Sequence, residues 1–147
     1  MSTSLRRGFT LIELLLVIGI IAILAAVVIV AINPTKQLGD ARNAQRRSDV
    51  NTILNAVYQY ALDNSGNLPS GITTSALEIC RSGVNINCTG LANLNVLTGS
   101  YIVALPSDPQ AATATSTKYT ILKNATTSRI TVAAPSAEQG ATITVTR

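Results

Sequence analysis

Histidine is absent from these 147 residues. That removes His-based metal sites and the His-dependent catalytic dyads and triads. Tryptophan is missing too, and aromatic residues make up only 3% of the chain. The stacking platform that single strands of nucleic acid need has almost no material. Acidic side chains are few: Glu13, Asp40, Asp49, Asp63, Glu78, Asp108 and Glu138. None forms a close pair beyond ordinary helix spacing. No Gly-rich phosphate loop, Gly-x-Ser-x-Gly or metal motif occurs. Catalysis is therefore the weakest functional class, and no cofactor is expected. The densest basic group, Lys36 to Arg47, is diluted by Asp40 and Asp49. It reads as a solvated helix face, and no nucleic-acid contact is expected from it.

What the chain does have is hydrocarbon, concentrated at one end. Hydrophobic residues make up 47% of the sequence. From Leu14 to Ile32 no charge or strongly polar group interrupts them. About 19 residues of helix span about 28 Å, close to the roughly 30 Å hydrocarbon core of a bilayer. After Pro34 the composition turns polar. The whole reads as one membrane-spanning helix carrying a modest polar domain.

Arg6 and Arg7 precede the apolar run, and no acid lies between Met1 and Thr10. The positive-inside rule holds this end in the cytoplasm and sends the rest across. A secretory signal peptide begins in the same way. Its apolar region is shorter, however, and Ala25-Ala26 are followed by more hydrocarbon rather than a polar cleavage region. Glu13 stands out at the head of this span, because a carboxylate in hydrocarbon costs about 2.5–3.5 kcal/mol.

The stretch "RRGFTLIELLLVIGIIAIL", Arg6 to Leu24, closely resembles the prepilin signature of type IV pilins and of type II secretion pseudopilins. The resemblance implies a leader over residues 1–8, cut by a membrane peptidase between Gly8 and Phe9. It implies methylation of the new Phe9 amine by the same prepilin peptidase and N-methyltransferase. It also implies that Glu13 neutralises the Phe9 amine of a neighbouring subunit as subunits enter a filament. Physical chemistry agrees: opposite buried charges are tolerable when paired and costly alone. The partners implied are identical or related subunits in a helical polymer, an assembly platform in the membrane, and membrane lipid. The location implied is the cytoplasmic (inner) membrane, then an extracytoplasmic filament or the cell surface. A type IV pilus-like subunit is the leading reading. A pseudopilin of a secretion or DNA-uptake system, or a membrane-stalked binding module, is the alternative.

The fold expected is α+β, with a long N-terminal helix packed on a small antiparallel sheet, the pilin-like lollipop. The transmembrane and assembly helix covers 9–33 and an amphipathic continuation 34–64. Asn33-Pro34 should break or kink it, and Gly19 is a second soft point, so Gly19 and Pro34 are the candidate hinges. Val50, Ile53, Leu54, Val57 and Ala61 follow the i, i+3, i+4, i+7 pattern and should face the sheet, with Arg46, Arg47, Asn51 and Asn55 largely elsewhere. Residues 65–100 form a connector holding Cys80 and Cys88. Across the membrane these two should form a disulfide, worth about 2.6 kcal/mol by loop closure. Metal binding is the competing reading, but two cysteines without histidine make half a site. Residues 101–147 form the sheet region, from "SYIVAL", "KYTILK", "SRITVAA" and "ATITVTR". Pseudopilins of the G group bind calcium in a C-terminal loop. Asp108 is the only hint of that here, and Ser-Asp-Pro reads first as a turn. Asn87 and Asn124 match the N-glycosylation pattern, which arises often by chance in a chain this rich in Asn and Thr.

Overall fold

The computed structural model describes residues 8–83, 87–111 and 115–147. Arg6, Arg7 and the rest of the expected leader before Gly8 lie outside the described residues. The chain divides into two compact units, one ending at Leu38 and one from Gly39 to Arg147.

The first unit carries α1, Leu11–Ile32, and the opening turn of α2, Pro34–Asp63. No residue of α1 is buried. That is the pattern of a helix that meets lipid or other chains rather than its own core. Asn33 adopts the left-handed conformation (φ 42°) and ends α1. Its side chain then serves α2, accepting from the Thr35 hydroxyl at 2.7 Å and the Lys36 amide at 3.4 Å. Pro34 follows at the first helical position, where its missing N–H costs nothing. Gly19 lies within α1, which runs unbroken through it.

The second unit is built on the rest of α2 and a four-stranded antiparallel sheet in the order β1-β2-β3-β4. The strands are Leu77–Cys80, Ser116–Lys123, Ile130–Ala133 and Thr144–Thr146. Val50, Ile53, Leu54 and Val57 are fully buried on one stripe of α2. They share a core with Tyr119, Ile121, Ile130 and Val132 from alternate positions of β2 and β3. The architecture is thus α+β, with the sheet covering the predicted stripe.

Three details differ from expectation. Residues 65–100, expected as a connector outside the sheet, contribute a strand: Leu77–Cys80 forms β1 at the sheet edge, paired with β2. Four residues are too few to show a period. "SYIVAL" is not a strand. Tyr101 and Ile102 both donate their amides to the Leu97 carbonyl at 3.1 Å, and Ile102 makes only an isolated bridge to Thr98. The β-branched composition was right for a strand, but turn bonds at Leu97 won. Finally, Arg46 is not on a solvated face: it is fully buried.

Cys80 and Cys88 are joined as a disulfide, with Cα atoms 5.5 Å apart. The bridge ties β1 to the segment that follows.

Candidate functional site

The N-terminus of α1 is organised by a capping box. Thr10 is the N-cap, and its hydroxyl accepts from the Glu13 amide at 3.2 Å. In return Glu13 Oε2 accepts from both the Thr10 amide and the Thr10 hydroxyl at 2.8 Å. Two orphan groups of the first turn are satisfied reciprocally. Thr10 was not singled out in the sequence, although Thr-x-x-Glu ahead of an apolar run is the signal for this box. Glu13 is therefore held over the helix N-terminus, where the helix dipole favours negative charge. Phe9 precedes it, 86% exposed, and Gly8 lies just before Phe9 with open space around it. The structure brings Gly8, Phe9, Thr10 and Glu13 within one short segment. Gly19 and Pro34 lie further along the same unit and belong to no side-chain cluster.

A second polar constellation fixes the polar domain. Extending the α2 stripe backwards from Val50 lands on Arg46, Asn43 and Gly39, and all are buried. Arg46 donates to both oxygens of Asp108, at 2.6 and 3.0 Å, and to Glu138 at 2.9 Å. Arg42 grips Glu138 through two further bonds of 2.6 Å. Asn43 closes the set, donating to the Glu138 carbonyl at 2.8 Å and accepting its amide at 3.0 Å. These contacts bind two loops, around Asp108 and Glu138, to one face of α2.

Charge states follow from those contacts. Hydrogen bonds from Arg42, then Arg46, hold the Glu138 carboxyl at about 2. Bonding to Asp108 raises Arg46 further above its ordinary value. Burial, then the bond to Asp49 at 2.6 Å, pushes the Tyr119 hydroxyl up. The hydroxyl of Ser116, then Lys118, lowers Glu78.

Asp108, the candidate calcium ligand, thus has both carboxylate oxygens on the buried Arg46 guanidinium. One of them also accepts the Gln110 amide at 2.8 Å, and the Asp108 carbonyl accepts the Ala111 amide, which closes a turn from Asp108 to Ala111.

Three comparisons bear on this arrangement. The prokaryotic N-terminal methylation motif family matches residues 3–29. Type II secretion system core protein G of Escherichia coli (strain K12) is 35% identical over 108 residues. That match covers 74% of this chain and 69% of the other protein. No solved structure matches.

Proposed function

The chain belongs to the pilin and pseudopilin family, and from that premise we propose that it is a structural subunit of a type IV pilus-like filament, drawn from the membrane through its apolar helix. One observation carries the reading. A carboxylate held by its own helix cap stands at the head of an apolar helix of 22 residues, none of them buried. Lipid covers such a helix before assembly, and the α1 helices of other subunits cover it afterwards.

In this reading a prepilin peptidase cuts between Gly8 and Phe9. Cleavage removes Arg6 and Arg7, the charges that hold the N-terminus in the cytoplasm. The new Phe9 amine, methylated, is a cation at the edge of hydrocarbon. It meets the Glu13 carboxylate of a neighbouring subunit. Pairing lowers the cost of keeping both charges out of water and favours one stagger between helices. The capping box helps by holding Glu13 in place before the partner arrives. The break at Asn33-Pro34 and the glycine at position 19 would let α1 bend within the polymer.

A second reading has support of its own. Similarity to core protein G covers 74% of this chain, far more than the N-terminal signature alone, which favours a pseudopilin of type II secretion over a surface pilus. Electron microscopy of sheared surface material, labelled with an antibody to the polar domain, separates the two. Long labelled fibres support the pilus. Label confined to the membrane, with the leader removed, supports the pseudopilin. Label confined to unprocessed chain contradicts both.

A further inference from the structure

The C-terminal end of α2 has two opposed faces, and each carries a distinct surface. Tyr58, Ala61 and Leu62 are spaced i, i+3, i+4 and so share one face, with Ser65 just past the helix end. Leu62 is 81% exposed there. These residues line one side of an open cavity of about 560 Å3, with Leu68, Lys123 and Ile130 on its other side. Tyr60 and Asp63 are spaced i, i+3 and share another face. The second set is offset by two residues from the first, about 200° around the helix.

Onto that second face packs the loop that the sequence pattern had suggested as a strand. The Tyr101 ring meets the Tyr60 ring edge-on at 5.7 Å. Its hydroxyl bonds Asp63, which raises its pKa. The loop is pinned by the two amides on the Leu97 carbonyl and by the Gly99 amide on Ile102 at 2.8 Å. Val103 follows, 96% exposed, the most exposed large apolar side chain among the described residues. A valine held out on a pinned loop is a preformed knob.

Charge is arranged to match. Lys123 at the cavity forms no ion pair among the described residues. No acid lines that cavity, and Arg129 is close in sequence to its wall residues Ser128 and Ile130. On the knob side the charged group is Asp63, and no Lys or Arg occurs between Leu91 and Pro109.

We propose that the cavity beside Leu62 receives the Tyr101–Val103 loop of a second copy of this chain, with Lys123 of one copy facing Asp63 of the next. Knob and cavity lie on opposite faces of one helix end, so the contact is heterologous. A heterologous contact that does not close propagates into a helical polymer. The inference rests on the filament reading and adds to it a lateral contact between polar domains.

Cysteine pairing tests it in the full chain. The native cysteines are bridged to each other, so introduced thiols report only the new contact. Filaments sheared from cells carrying Val103→Cys with Leu62→Cys should, on mild oxidation, give a ladder of linked multimers. Each single variant should stay monomeric. Monomers only, from filaments of normal yield, would overturn the docking while leaving the filament reading intact. Dimers from Val103→Cys alone would also overturn it, because they indicate a symmetric contact. Unprocessed subunit and no filaments from the unaltered chain would instead remove the filament reading, and this contact with it. A second variant does not depend on thiols. Val103→Asp should keep its membrane pool and lose sheared filament by about tenfold or more, with Val103→Ile near normal. Undiminished filament from Val103→Asp would refute the knob.

Discussion

Two residues show how far single side chains decide this molecule. Glu13 stands out in the sequence as a lone acid before a chargeless run, and the structure gives it a local role as well, in the capping box with Thr10. Its cap partner Thr10 was legible in principle, through Thr-x-x-Glu. Glu13→Ala should insert in the membrane as well as or better than the parent, since a charge leaves the hydrocarbon. Leader cleavage should largely survive. Assembly should fail, because removing one side of a buried pair costs about 3–5 kcal/mol and a filament repeats that loss at each subunit. Glu13→Gln should fail less completely. Filament yield relative to processed membrane subunit measures both. Arg46 is the opposite case. It reads as surface charge, yet its side chain is fully buried, and its partners Asp108 and Glu138 are distant in sequence. No local pattern announces a pairing across such separations. Arg46→Leu leaves Asp108 buried without its cation and should destabilise the polar domain by about 3–5 kcal/mol, read by thermal unfolding in detergent. Glu138 gives the pH dependence. Its folded pKa, about 2, lies below the unfolded value near 4.3. Its contribution is therefore fully present above about pH 5 and is lost as pH falls towards 2. A polar domain with stability flat over that acid range would contradict the Arg42–Glu138–Arg46 cluster.

Elements were readable where a period runs long enough. The α2 stripe from Val50 to Ala61 and the cores of β2 and β3 repeat at the spacing of their structures. The short β1 does not, and composition alone misled at "SYIVAL". The break between the helices was visible as Asn33-Pro34, but not the manner of it, in which one asparagine ends α1 and caps α2. The connector holds its place through β1, the disulfide and a close backbone approach. A Cβ at Gly71 would lie 2.3 Å from the Asn93 carbonyl oxygen. Gly71→Ala should thus force the backbone apart and cost about 1–3 kcal/mol. Peptide mapping of exported protein without reductant should find Cys80 linked to Cys88 and no free thiol. Replacing both by Ser should lower stability by about 2–3 kcal/mol. An unchanged melting temperature would mean that β1 and its pairing hold the connector without the bridge.

Across the whole molecule, two kinds of surface divide the work. The first unit exposes hydrocarbon along all of α1, which in the proposed reading lipid and then other subunits cover. The second closes its own core and ties its loops to α2 through Arg46. The family was legible because the signature is local and dense. The lateral surfaces were not, because knob and cavity come from segments scattered between Tyr58 and Ile130. The central claim is that this chain becomes a filament subunit by losing residues before Phe9. Mass analysis of the N-terminal peptide from sheared or membrane-extracted protein tests it most directly. The account predicts a chain that begins at Phe9 with one methyl group on its amine. A chain that begins at Met1, or after Ala26, would contradict it.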